Sequence, residues 1–437
     1  MNLDERLSNV AIVGAAGKMG SGISLLLAQQ MGLAKAKNPT QDIVLHLIDT
    51  RDQGLHDLVQ YIRAQVAKMA EKQILKLRVL YKERNDLVEN AEMIEELVNT
   101  TISILRPTKE LTSAKDSSVV FEAVIESEQL KIDIFKKLKA CCKPDTYFFT
   151  NTSSIPIKIV DQGAELDGKI IGYHFYNPPA IQKLLEIISW ENTNQDLQSV
   201  AAEIAGLLRK IVVESNDVAG FIGNGHFIRE GLYALNKTKE LQEPHSFAGA
   251  VYLVNKTTQD FLMRPMGIFQ LLDYVGIDVY NFILKIMDKY IEDENFNHQI
   301  IDTMISNNVL GGQRGDGSQK DGFFQYSKGK MIGVYCMEKK GYVPLDSTEE
   351  WDKTLGNYPS SWKPWKKMLK QKHEVVAQIF SELSEGNSLG CKLAFAYAQA
   401  SKEIAENLVK AGVAKSNADV DNVLLTGFYH AYGITTI

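Results

Sequence analysis

Short β-branched runs alternate with longer amphipathic stretches through the first half of the chain. Six runs read as strands: 9–13 (NVAIV), 43–48 (IVLHLI), 118–124 (SVVFEAV), 147–150 (YFFT), 169–175 (KIIGYHF) and 210–213 (KIVV). Apolar residues at helical spacing fill 20–32, 53–80 and 128–140 between several of them. Strands that alternate with helices predict a mostly parallel sheet, covered on both faces. From about 215 onward the spacing becomes helical, over 221–241, 247–262 and 267–291. A segment with six glycines, 311–330, predicts an irregular loop, and a tryptophan- and proline-bearing stretch at 351–365 leads into further helices.

The two helical blocks carry a weak internal repeat. In the first, a long helix leads to a short one and then to RPMGIFQLLDYVG (264–276). In the second, CKLAFAYAQASKEIAENLVKAG leads through SNADVDNVLL to TGFYHAYGITTI (426–437) and stops where LLDYVG would begin. The fold class predicted is thus an α/β Rossmann-type domain over 1–213, followed by all-α helical domains over 214–334 and 335–437. The last is a truncated repeat.

Composition narrows the function. With 437 residues, 45% hydrophobic, 23% charged and a net charge of −6, the chain has the make-up of a globular multidomain protein. No basic face suited to a phosphate backbone is apparent, which argues against nucleic acid. No apolar run approaches the roughly 18 residues that span a bilayer. The N-terminus, MNLDERLSNV, lacks the basic start and apolar core of a signal peptide. The four cysteines form no CxxC pair, so a reducing cytoplasm is the expected location.

The first strand runs into GAAGKMG, with Gly14, Gly17 and Gly20 ahead of a helix. Glycines there permit a tight turn and close approach of a pyrophosphate, which the helix N-terminus attracts. The pattern is GxxGxxG, one residue longer than GxGxxG. Asp49 ends the second strand, 29 residues after Gly20, with the insert AKAKNPTQD accounting for the long interval. An acid there accepts from the adenosine ribose hydroxyls and repels a 2′-phosphate, favouring NAD over NADP. Arg51 offers a phosphate partner nearby, so NADP is disfavoured without being ruled out.

Ligands of an open parallel sheet collect beyond the carboxyl ends of its strands. Polar residues recur there: Glu126, with Lys131 in the next helix, then Asn151, Thr152, Ser153 and Ser154, and then His174. Ser154, just before Pro156, reads as a helix cap. Twelve residues after His174, Glu186 sits inside the apolar run LLEII.

These segments resemble the L-3-hydroxyacyl-CoA dehydrogenase family. The resemblance is carried by FEAVIESEQLK, NTSSI, GYHFYNPP with KLLEII, GFIGN, and RPMGIFQLLDYVG with DGFFQY. It spans roughly 9–330, with a second copy of the family's helical domain to 437, as in long multifunctional β-oxidation proteins. It implies NAD-dependent oxidation of (S)-3-hydroxyacyl-CoA to 3-ketoacyl-CoA in fatty acid β-oxidation. His174 would be the general base and Glu186 its orienting partner, while Ser153 and Asn224 would hydrogen-bond the reacting oxygen. Glu126, Lys131 and Asn177 would lie on the cofactor side.

For the coenzyme A end, the family uses a hydroxyl residue and a lysine in the helix after the ribose acid. Gln65 and Lys72 take those places here, so the expected hydroxyl is replaced. Lys68 and Lys72 lie i,i+4 on one face, which also describes a solvated helix surface. Ile268 and Gln270 stand where the family usually has proline and glutamate. The hydratase domain of multifunctional relatives is not found in this sequence. A separate enoyl-CoA hydratase or a thiolase is therefore an expected partner of the acyl-CoA pathway. Monomer and homodimer both stay open, because the tandem copy can cover the family's dimer surface internally.

Other readings of the same residues are weaker. Ser153, His174 and Glu186 can be written as a hydrolytic triad, but no GxSxG elbow surrounds Ser153. A zinc helix at HEVVA has His373 and Glu374 but Ala377 where its second histidine should stand, so no metal is expected. An inactive NAD-binding relative would not require all four catalytic positions to be filled. The main alternative is a dehydrogenase of free hydroxy acids.

Overall fold

A computed structural model describes residues 2–315 and 317–437, and of Ser347 the backbone alone. Met1, in the expected first domain, and Asp316, in the expected 311–330 loop, lie outside the described residues. The chain separates into two compact units, Met1–Asp217 and Val218–Ile437.

The first unit is built on eight strands: β1 (Asn9–Val13), β2 (Val44–Ile48), β3 (Leu105–Thr108), β4 (Val119–Glu122), β5 (Tyr147–Thr150), β6 (Ile170–Phe175), β7 (Leu184–Ser189) and β8 (Ile211–Asn216). They form one sheet in the order β3-β2-β1-β4-β5-β6-β7-β8. The strands from β3 to β6 run parallel, β7 pairs antiparallel with β6, and β8 runs with β7. Strand order reverses between β1 and β4, which opens a crevice at their carboxyl ends.

Two of these strands were not foreseen. β3 reads LRPT, and its proline is tolerated because the strand lies at the sheet edge. β7 reads LLEIIS with its first five residues buried, so no alternation advertises it. The helical pattern 53–80 divides at Gln73 into Asp52–Lys72 and Ile74–Leu80. An aromatic row crosses the sheet: Phe121 to Phe149 at 4.8 Å, Phe149 to Tyr173 at 5.1 Å, and Tyr173 to Phe175 at 5.3 Å between ring centroids. Burying each ring stabilises the fold by about 2–3 kcal/mol. Because strand side chains alternate, the row that claims Tyr173 and Phe175 turns His174 to the opposite face.

The second unit begins with a long helix, Gly223–Lys256, broken at Ser246. Pro244 denies the ladder a donor, and Ser246 (φ 61°) starts a new helix by accepting from Gly249 N at 3.3 Å. Further helices follow at Ile268–Val275, Ile277–Tyr290 and Gln299–Ser306. The expected loop 311–330 ends in a strand, and an antiparallel sheet forms within domains expected to be all-helical. Its strands are β9 (Phe324–Ser327), β10 (Lys330–Cys336) and β11 (Gly341–Pro344). Asp273 explains its anchorage: the buried carboxylate accepts from Phe323 N (2.6 Å), Phe324 N (2.9 Å) and the Tyr326 hydroxyl (2.9 Å). The motifs LLDYVG and DGFFQY thus meet in one hydrogen-bond cluster.

The helix Leu389–Lys410 packs on the long helix. Tyr397 donates to the Glu230 carbonyl at 3.2 Å, and His226 Nε2 lies 3.2 Å from the Ser401 carbonyl. Among the described residues no helix is long and apolar enough to cross a membrane.

Candidate active site

His174 and Glu186 are direct register partners on antiparallel β6 and β7. His174 Nδ1 lies 2.8 Å from Glu186 Oε2, with the histidine 8% and the glutamate 0% exposed. A carboxylate buried inside an apolar strand costs several kcal/mol unless donors satisfy it. Glu186 has a second donor, the Tyr176 hydroxyl, at 3.0 Å on the same oxygen. Burial foremost, and then the charge of Glu186, push the Tyr176 pKa well above its usual value. The phenol therefore donates throughout the neutral range. Tyr176 was not singled out from the sequence, although it lies in the same GYHFYNPP run.

Beside this pair, NTSSI forms the loop after β5. Asn151 Oδ1 accepts from Phe175 N at 2.9 Å and so ties this loop to the histidine strand. Glu126 Oε1 gathers Thr152 Oγ1 (2.6 Å), Ser153 N (2.9 Å), Ser153 Oγ (3.4 Å), and Ser154 N and Oγ (both 3.2 Å). Burial works to raise the Glu126 pKa. The Lys131 ammonium, the Thr152 hydroxyl and the Ser153 N–H outweigh it and hold the carboxyl below its usual range. Ser154 is therefore part of this loop and not a helix cap. The helix Ile157–Ala164 is capped by Asp217, which accepts from Ile157 N (2.6 Å) and Lys158 N (2.7 Å).

Lys131 is fully buried and bonds Glu122 at 2.8 and 3.0 Å, with Glu126 at 3.4 Å. Glu122 was missed in the sequence. Its signal was an acid within the apolar run VVFEAV, where a fully covered parallel strand has no solvent to offer it. Asn177 is half-buried in the β6–β7 turn. Asn224 stands half-buried at the start of the long helix, in the second unit. Lys68 and Lys72 are exposed on the helix Asp52–Lys72, and Gln65 is half-buried. Among the described residues no cluster of histidine, cysteine or carboxylate side chains fits a metal.

The cofactor end is formed by the glycine turn. Gly14 adopts φ +80°, and a Cβ there would lie 2.7 Å from the Ala123 carbonyl; at Gly20 it would lie 2.0 Å from that of Gly14. At Gly17 it would be 3.2 Å from the same oxygen. Gly17 caps the helix Lys18–Lys37, which starts directly after the turn. Asp49, its side chain 8% exposed, accepts from Ala16 N at 3.0 Å and Arg51 N at 3.1 Å. The Arg51 guanidinium bonds the Ala16 carbonyl at 2.8 Å. A cradle without side chains, a helix N-terminus and an acid beside it fit the pyrophosphate and ribose of NAD.

This fold and turn, with a histidine–carboxylate pair at the rim, define an NAD-dependent oxidoreductase. Residues 9–218 match the family described as 3-hydroxyacyl-CoA dehydrogenase, NAD binding domain, and residues 249–321 match its C-terminal domain. Together they cover well over half of the chain, which belongs to the 3-hydroxyacyl-CoA dehydrogenase family. A probable 3-hydroxyacyl-CoA dehydrogenase of Caenorhabditis elegans is 28% identical over 336 residues, covering 74% of this chain and 97% of that protein. The peroxisomal fatty acid beta-oxidation multifunctional protein of Oryza sativa subsp. japonica is 27% identical over 328 residues, covering 74% of this chain and 39% of that protein. The crystal structure of 3-hydroxybutyryl-CoA dehydrogenase from Escherichia coli shares the fold, with a TM-score of 0.64 at 20% identity. That likeness covers 98% of this chain and 90% of the other.

Proposed function

We propose that this chain oxidises (S)-3-hydroxyacyl-CoA to 3-ketoacyl-CoA in fatty acid β-oxidation. The observation that carries the reading is the His174–Glu186 pair at the rim of an NAD-binding sheet. When bound, NAD supplies the acceptor for the hydride from C3. Gly14, Gly17, Gly20 and Asp49 would hold it, with Glu126, Lys131 and Asn177 on the cofactor side. With Nδ1–H donated to Glu186, the imidazole presents Nε2 as the base for the substrate's 3-hydroxyl proton. Glu186 then stabilises the imidazolium that forms. Ser153 would donate to the reacting oxygen and hold it for the base, and Asn224 keeps the role that the resemblance implies. Lys68 and Lys72 are assigned to the coenzyme A end.

Residues 335–437 are read as a truncated second helical domain after 214–334. In support, the helices Leu389–Lys410 and Asn417–Thr426 repeat the long-then-short order of the two parts of Gly223–Lys256 on either side of its break at Ser246. A cytoplasmic location belongs to the same reading and is supported by four free cysteines. A separate hydratase or thiolase would supply or consume the acyl-CoA.

The test is NADH formation across 3-hydroxyacyl-CoA chain lengths, with free 3-hydroxy acids as controls. Turnover of thioesters with NAD supports the assignment. Oxidation of the free acids alone would replace it with a hydroxy-acid dehydrogenase, a reading that Gln65 in place of the expected hydroxyl keeps in view.

A further inference from the structure

We infer that Glu122 is a positioning residue for the substrate side of the site, acting through Lys131 and Glu126 on the loop that carries Ser153. The inference rests on the proposed role of Ser153. Its geometry lies wholly within the first unit.

Three charged groups stand in line from the sheet core to the rim. Glu122 is 0% exposed, the Lys131 side chain 1% and the Glu126 side chain 22%. Lys131 grips both oxygens of Glu122, at 2.8 and 3.0 Å, but stands 3.4 Å from Glu126 Oε2. The ammonium is thus committed mainly to the deeper carboxylate. Glu126 is left to turn its other oxygen to the loop, where it meets Thr152, Ser153 and Ser154. Glu122 also reaches this loop by a second route. Its Oε2 accepts from its register partner Thr150 Oγ1 at 2.6 Å, and that hydroxyl accepts from Thr152 N at 3.3 Å. Its Oε1 meanwhile accepts from Val124 N at 2.7 Å, shaping the turn that leads to Glu126.

A neutral group at 122 would leave Lys131 buried with one carboxylate partner, Glu126. A buried ammonium draws in the remaining anion, since no solvent competes for it. Glu126 would then move from the loop, and Ser153 would lose the acceptor of its N–H. A displacement of about 1 Å in a positioning group can cost on the order of 100-fold in rate. The balance between the two carboxylates, more than the ion pair itself, sets the loop.

The experiment compares wild type, Glu122→Gln and Glu122→Asp in the full chain. It measures kcat and KM with a 3-hydroxyacyl-CoA, NAD affinity by fluorescence titration, and folding by circular dichroism. Glu122→Gln is expected to lower kcat by about 10- to 100-fold and NAD affinity by a smaller factor, since the glycine turn and Asp49 stay in place. Glu122→Asp, which keeps the charge, should hold kcat within roughly fivefold of wild type. A folded Glu122→Gln with unchanged kcat overturns the inference, as does a Glu122→Asp no faster than Glu122→Gln. Should Glu122→Gln fail to fold, Glu122→Asp carries the test, and a kcat below about one hundredth of wild type overturns it. Absence of thioester turnover in wild type would instead sink the proposed function.

Discussion

Glu186 Oε2 accepts from both His174 Nδ1 and the Tyr176 hydroxyl, at 2.8 and 3.0 Å, in a strand whose residues around it are buried. One oxygen thus holds the imidazole by its Nδ1 edge, and a phenol two residues along the chain holds the carboxylate. Direct register between β6 and β7 means that no loop need close for the pair to form.

Replacing His174 with alanine removes the proposed base and leaves the glycine turn intact. Turnover of hydroxyacyl-CoA should fall by about 10²- to 10⁴-fold with NAD affinity nearly unchanged. Steady-state kinetics with an NAD titration check this. Loss of NAD binding would mean that the histidine has been assigned to the wrong part of the site.

Tyr176→Phe deletes one donor to Glu186 and keeps the ring that packs 4.9 Å from the imidazole. A fall in kcat of up to about 10- to 100-fold is expected, from the roughly 1.5–3 kcal/mol of a hydrogen bond to a charged group. Burial and the neighbouring carboxylate keep the phenol protonated well above its usual range. The ratio of variant to wild-type kcat should therefore stay flat from about pH 6 to pH 9. A ratio that bends within that range would show the hydroxyl titrating.

Two glycines offer an internal contrast. At Gly20 a methyl group would meet the Gly14 carbonyl at 2.0 Å, whereas at Gly206, in the helix Gln195–Leu207, it would meet nothing within 4 Å. Gly20→Ala should weaken NAD binding at least about tenfold or prevent folding of the turn. Gly206→Ala should raise stability by about 0.5–1 kcal/mol through helix propensity. Melting curves with and without NAD distinguish the two.

Acid stability should be governed by the second unit. Arg264 makes two 2.9 Å bonds to Glu230, and both side chains are almost fully buried. Burial works to raise the Glu230 pKa, but the Arg264 charge outweighs it and holds the carboxyl at about 2. His226 and His430 share a cavity wall with this pair and are held below the usual histidine range, by burial foremost. A histidine lowered on folding binds its proton first in the unfolded chain, so stability falls as pH drops below about 6.5. The Glu230 contribution is complete above its unfolded value of about 4.3 and disappears as pH falls through the folded one. Urea midpoints should decline below about pH 6.5 and more steeply below about pH 4.3. His430→Leu should flatten the first decline, and an unchanged slope would clear the histidine of that role.

Much of the first unit was legible because its signals are local. A glycine whose Cβ would strike a carbonyl, as at Gly14 and Gly20, leaves its mark on the chain wherever the rest folds. Runs such as NVAIV and YFFT are apolar because both faces of a parallel strand are covered. β3 and β7 were illegible for opposite reasons, an exposed edge and a run buried without alternation. The sheet of β9 to β11 escaped because its anchor, Asp273, lies about fifty residues away in sequence.

Residue order along the chain was enough to place the turn for NAD, the acid after β2 and the chemical types available at the rim. Residue identity and spacing along one strand and its following turn suffice for these. Which carboxylate serves which donor was settled by packing: Glu186 takes His174 and Tyr176, Glu126 takes the Ser153 loop, and Glu122 takes Lys131. Each pairing crosses between elements. A buried charge is satisfied by whichever partner the packed sheet brings within about 3 Å, and no periodicity along the chain records that distance.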